Sequence, residues 1–263
     1  MAPNDPRTHP AVAGFGAAAA TYERARPEYP ATAVRFLGRR LSLGQGRTVV
    51  ELGSGTGKFT RALAPLGAAR VAIEPTRGMR AVFARTVPEV PVLDGTAENM
   101  PLPDGFADAV VAAQAFHWFR PRPAVREIAR VLRPRGALGL IWNLRDESVP
   151  WVRRFTEIFY RYGWNVPRTR DERWRAVFQD PESPFGPLHE REFSHEQRGS
   201  PSLFAERALS VSVVAVLPPA ERRRVAREVR AILRDDPSTR GRRVVVMPYR
   251  TRVYWTRRKA PAK

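Results

Sequence analysis

Between Thr48 and Trp142, short apolar runs alternate with helical stretches, and no other feature constrains the fold as strongly. Thr48-Val-Val-Glu-Leu52, Arg70-Val-Ala-Ile73, Val90–Leu93, Ala107–Ala113 and Ala137–Trp142 read as strands with little polar face to offer water. Phe59–Leu66, Gly78–Thr86 and Arg122–Leu132 lie between them and carry helical periodicity. Strands buried on both faces and joined by helices give βαβ units around a parallel sheet, so the chain is predicted to be α/β and doubly wound.

The flanks extend this plan. A helical stretch from Phe15 runs into Arg26-Pro-Glu-Tyr-Pro30, where two prolines break it, and a helix over Ala31–Leu41 presents Val34, Leu37 and Leu41 on one face. After Asn143 the pattern changes to helices over Pro150–Tyr162, Arg170–Phe178, Ser202–Leu209 and Pro219–Leu233, with strands at Leu188–Gln197 and Arg243–Trp255. The expected organisation is a flexible segment 1–14 followed by one domain, 15–263. An N-terminal lid spans 15–40 and helical insertions span about 150–180 and 201–235.

Val49-Val-Glu-Leu-Gly-Ser-Gly-Thr-Gly57 is a strand, a glycine-rich turn and a helix start. Glycine is needed where backbone turns tightly or must approach a ligand, and a helix start adds unpaired N–H donors. A phosphate-binding Walker loop fails here, because Leu52 stands where its first glycine belongs and Phe59 follows Lys58. The dinucleotide fingerprint is damaged, with Lys58 where Gly or Ala should allow close helix–strand packing. A ligand with a sulfonium and an ammonium suits acidic neighbours instead. Glu51 stands just before the turn, and Glu74, at the end of the second strand, can accept hydrogen bonds from a ribose diol.

Composition closes off other classes. There is no cysteine, so disulfides, thiolate metal sites and thiolate nucleophiles are excluded. The net charge of +19 invites a nucleic-acid reading, but Lys58, Lys259 and Lys263 are the only lysines and the arginines are dispersed. That pattern reads as a solvated basic surface which favours anionic small substrates. Nucleic acid and membrane are therefore not expected partners, no metal is expected, and a cytoplasmic monomer or homodimer is. Met1 to His9 lacks the basic-then-apolar layout of a secretory leader.

The glycine turn, Glu74, Asp94-Gly-Thr-Ala-Glu98, Gln114-Ala-Phe-His-Trp118, Tyr22-Glu-Arg-Ala-Arg-Pro-Glu-Tyr-Pro30 and Arg133-Pro-Arg-Gly136 occur here in one order. In that set the chain resembles class I S-adenosylmethionine-dependent methyltransferases of the UbiE-like and trans-aconitate methyltransferase-like, small-molecule branch. The resemblance implies a seven-stranded, mostly parallel Rossmann-like sheet with S-adenosyl-L-methionine as cofactor. It implies that Gly53, Ser54, Gly55, Thr56 and Gly57 line the methionine end, with Glu51 near the ammonium and Glu74 on the ribose. Pro75 and Met79 would pack on the adenine, Thr96 and Ala97 border its edge, and Gln114 sit beside the sulfonium. Many relatives carry Asp where this chain has Thr96. Tyr22 and Arg26 would belong to the lid, Arg26 toward the methionine carboxylate.

Methyl transfer is an in-line displacement that chiefly needs alignment and exclusion of water, with a base only where the acceptor is protonated. His117 is the candidate for that base, or else a hydrogen-bonded wall of the pocket. Phe116, Trp118 and Phe119, and more weakly Tyr29, Trp142 and Trp151, are expected around the acceptor. The sequence lacks the Asn/Asp-Pro-Pro-aromatic motif of nucleic-acid amino methyltransferases and any cysteine for cytosine-carbon methylation. A small acceptor methylated at oxygen, a carboxylate or a phenol, is the expectation. The alternatives are a protein of this fold that binds the cofactor without methyl transfer, a nicotinamide-dependent oxidoreductase and an RNA methyltransferase.

Overall fold

The computed structural model of the chain describes residues 19–162 and 173–260. The expected flexible segment 1–14, the start of the lid at 15–18 and the first residues of the Arg170–Phe178 helix lie outside the described residues. The described residues fall into two compact units. The larger is made of 29–142, 173–193 and 251–260, the smaller of 19–28, 143–162 and 194–250.

Seven strands form one sheet: β1 (Thr48–Leu52), β2 (Ala69–Ile73), β3 (Val92–Leu93), β4 (Ala107–Ala113), β5 (Leu132–Arg145), β6 (His189–Gly199) and β7 (Val245–Arg257). Their order is β3-β2-β1-β4-β5-β7-β6. The strands β3-β2-β1-β4-β5 pair in parallel, with Val50 opposite both Val71 of β2 and Val110 of β4. All of β4 is buried, as a strand must be when helices cover both of its faces. This is the doubly wound arrangement that the alternation of segments predicts.

In the larger unit one face of the sheet is closed by the helices Ala31–Arg40 and Lys58–Leu63. Val34, Leu37, Phe59 and Leu63 join Val49, Ala109, Val111 and Ile141 in a single buried cluster. A second cluster holds Ala72 with Phe83 and Val87, from and just after the helix Arg77–Thr86. A fourth helix of this unit, Pro121–Val131, buries Val125, Ile128 and Val131. In the smaller unit the helices Pro150–Arg161, Pro201–Leu209 and Pro219–Asp235 build their own core. Trp151, Phe155, Phe159, Phe204, Val229 and Leu233 meet there. No described helix is long and apolar enough to cross a membrane.

The structure corrects three details. Arg133-Pro-Arg-Gly136, read as a turn, lies within β5: the register jumps from Ala107↔Leu132 to Ala109↔Ala137, and Arg135 takes a left-handed φ of 64°. A bulge absorbs the extra residues without ending the strand. The third strand is only two residues long, Val92–Leu93, although the Pro91 carbonyl just before it accepts the Ala72 N–H at 2.9 Å; Pro91 itself has no N–H to donate. The helix read at Phe59–Leu66 changes to a 3-10 turn over Ala64–Leu66, where Pro65 cannot donate to the helical ladder.

Candidate cofactor and acceptor site

β1 ends at Leu52, and the next five residues turn on three left-handed glycines, with φ of 61° at Gly53, 57° at Gly55 and 87° at Gly57. Two of the three are occupied with protein. A Cβ on Gly53 would lie 2.8 Å from the Ala115 Cβ, and one on Gly57 would lie 2.5 Å from Val87. At Gly55 nothing stands within 4 Å of that position. The turn therefore opens at its middle. On either side of Gly55, the Ser54 and Thr56 hydroxyls are buried with no partner among the described residues, a costly state for polar groups unless a ligand meets them.

Two carboxyl groups face this turn. Glu74, just past β2, takes the Gly55 N–H on Oε2 at 2.9 Å and the Thr76 N–H on Oε1 at 2.8 Å. Each oxygen keeps a further lone pair, so the group can still accept from hydroxyls. Burial raises its pKa, against the pull of those two backbone hydrogen bonds, of the Thr76 side chain and of the Arg80 charge. Glu51 is buried in β1 and accepts from the Thr60 hydroxyl. Burial, opposed by the Thr60 hydrogen bond and reinforced by the Glu74 charge, pushes it up to about 8. Two acids that burial holds toward the neutral form, beside an open turn with two unpaired hydroxyls, fit a ligand that carries positive charge and a diol. S-Adenosylmethionine has this chemistry.

Of the remaining residues expected at the cofactor, Met79 and Ala97 are buried and Pro75 and Thr96 half-buried. Thr96 pairs backbone to backbone with Asn99, at 3.2 Å in both directions. Gln114, directly after β4, holds a left-handed φ of 55° and donates its N–H to the Ile141 oxygen at 2.9 Å. That conformation is strained for a non-glycine residue, and such strain concentrates at functional sites. The 3-10 turn Phe116–Trp118 follows, and Phe119 returns the chain to within 3.8 Å of the Cβ position of Gly53. The Gln114–Phe119 segment and the glycine turn are thus brought together.

His117 is half-buried on this turn, and the buried indole of Trp142 donates to its Nδ1 at 3.2 Å. An indole nitrogen can only donate, so Nδ1 is unprotonated and the neutral ring carries its proton on Nε2. Phe116 is fully buried among Phe119, Trp174 and Phe178, at ring separations of 5.5–5.8 Å. Trp142 is equally enclosed, 5.0 Å from Trp174 and 5.5 Å from Tyr254. Trp118 and Phe119 are half-buried and keep surface to offer a ligand. Tyr29 packs edge-on to Phe59 at 4.9 Å.

Three expected site residues belong to the smaller unit and have partners there. Trp151 sits in its aromatic core. Arg26 lies over the Tyr22 ring at 4.6 Å and donates to Ser210 at Oγ and at the carbonyl oxygen. Sequence reasoning missed Thr60, Trp174 and Tyr254. The Trp174 indole N–H is buried with no acceptor among the described residues.

Comparison with known proteins agrees with this geometry. Residues 50–140 match the methyltransferase domain family. An uncharacterized methyltransferase of Mycobacterium tuberculosis is 37% identical over 237 residues, which cover 90% of this chain and 92% of that protein. A methyltransferase-like protein of Schizosaccharomyces pombe is 34% identical over 245 residues, 93% of this chain and 94% of its own. A solved structure of a type II methyltransferase from Anaeromyxobacter dehalogenans shares the fold with a TM-score of 0.60 at 24% identity. It covers 89% of this chain and 97% of that one.

Proposed function

The chain belongs to the class I S-adenosylmethionine-dependent methyltransferases, and we propose that its acceptor is a small molecule methylated at oxygen, a carboxylate ahead of a phenol. The cofactor supplies an electrophilic methyl group on a sulfonium. In this reading Glu51, Glu74, Ser54, Thr56 and the open backbone at Gly55 hold it, and the Gln114–Phe119 segment meets the acceptor. Residues 15–263 are read as one methyltransferase domain.

The observation that carries the acceptor assignment is the Trp142–His117 hydrogen bond. With Nδ1 taken by the indole, the neutral imidazole has a proton to give at Nε2 and no lone pair there to receive one. A phenol needs a base, whereas a carboxylate is already ionised and gains from a donor that orients it. The buried Trp174 N–H supports the same preference as a second donor in the aromatic cluster behind His117. Alignment then supplies most of the acceleration.

A methyl-release assay over matched carboxylic acids, phenols and amines tests this. Carboxylates should turn over best, and Trp142→Phe should lower kcat/KM for them by about 10-fold, the scale of one oriented hydrogen bond. Phenols turned over better than matched carboxylates, or carboxylate turnover unchanged in Trp142→Phe, would contradict the assignment.

A further inference from the structure

We propose that Arg207, with Arg26 and Arg145, forms an oxyanion site within the smaller unit that takes a carboxylate of a small-molecule ligand. Arg207, on the helix Pro201–Leu209, is 4% exposed, and its Nε and Nη1 are buried with no acceptor among the described residues. A guanidinium cannot shed its charge by losing a proton. An uncompensated one in the interior is among the most destabilising groups a fold can carry.

Its neighbours make the demand larger. Arg26 is held by Ser210, through Oγ at 3.2 Å and the carbonyl at 3.0 Å, and Ser210 Oγ donates in turn to the Arg207 carbonyl at 2.8 Å. Arg145 is held by the Thr156 hydroxyl at 2.9 Å and lies over the Phe159 ring at 5.0 Å. Arg26 is thus positioned by hydroxyl and carbonyl oxygens and by an aromatic face, which orient a cation without cancelling it. Burial first, and then the Arg207 charge, lower Arg26 to about 9 and Arg145 to about 10. The phenols of Tyr22 and Tyr249 act in the other direction on Arg26, and those of Tyr249 and Tyr160, with Glu147, on Arg145.

Other arginines of the same unit are compensated: Arg24 meets Glu206, and Arg154 meets Asp236. Arg207, Arg26 and Arg145 thus concentrate positive charge where the surface arginines disperse it. A carboxylate matches this donor set and charge.

The test compares wild type with Arg207→Gln and Arg207→Lys, using succinate as probe against chloride at matched ionic strength. In anion-poor buffer Arg207→Gln should melt about 2–4 °C above wild type, since it removes an uncompensated charge. Succinate should raise the wild-type midpoint, leave Arg207→Gln unmoved and act on Arg207→Lys to an intermediate degree. Arg207→Gln melting no higher than wild type, with succinate acting equally on both, would overturn the proposal.

Discussion

Asp108 and the pair Glu51 and Glu74 are buried acids at opposite ends of the same parallel strands, and their surroundings differ in kind. At the amino end, Asp108 of β4 accepts the Thr48 N–H at 2.8 Å and is bridged by Arg47 and Arg133, both at 2.9 Å. Burial alone would raise its pKa, but those three donors outweigh burial and hold it below the usual carboxylate range. At the carboxyl end, Glu51 has the Thr60 hydroxyl and Glu74 has two backbone N–H groups and the Thr76 side chain, with Arg80 nearby, and burial still prevails at both. One end of the sheet is electrostatically complete. The other is built to receive a cation, at the strand ends where open α/β sheets bind ligands.

The largest expected break in this contrast is Gly55→Val. With φ at 57° and open space at its Cβ position, a side chain there fills the volume left for the ligand. Calorimetry should register no S-adenosylhomocysteine binding, while the melting midpoint moves little. Glu74→Ala should weaken binding by about 10–100-fold, the scale of hydrogen bonds to a charged group. Its counterpart Asp108→Asn should leave affinity within about twofold and cost about 1–3 kcal/mol in urea unfolding, since it alters a buried, multiply bonded carboxylate. If Asp108→Asn weakened the ligand as much as Glu74→Ala, the two ends would not be distinct.

The pH responses should also have opposite signs. Glu51 is raised in the folded state, so its contribution to stability is present below the unfolded value of 4.5 and is lost as pH rises toward about 8. Asp108 is lowered, so its contribution is present above the unfolded value of 3.8 and is lost as pH falls through the folded one. Melting of the ligand-free protein followed across pH should slope less between those limits in Glu51→Gln than in wild type. Equal slopes would remove Glu51 from the account.

The strands were readable because their burial is unambiguous. β1 and β4 end where the apolar runs end, each bounded by turn residues. β5 was not, because Pro and Gly in Arg133-Pro-Arg-Gly136 mimic a turn, and only the pairing with β4 shows a bulge. At the site, Glu51, Glu74 and the three glycines could be located by spacing from the strand ends. The tautomer of His117 could not. It depends on Trp142, twenty-five residues away and brought alongside by the Ala113↔Ile141 register between β4 and β5. The strain at Gln114 was equally hidden, because no glycine announces its left-handed backbone. Nor did dispersed arginines in the sequence reveal that three of them gather in the smaller unit.

The most direct test of the claim that the carboxyl end awaits a cation is calorimetric titration of S-adenosylhomocysteine at pH 7, in buffers of different ionisation enthalpy. NADH is titrated in parallel. One molecule should bind per chain with release of nearly one proton, because the ligand ammonium draws Glu51 into its ionised form. The release should vanish in Glu51→Gln, and NADH should give no heat. Binding without proton exchange, or binding of NADH alone, would contradict the account.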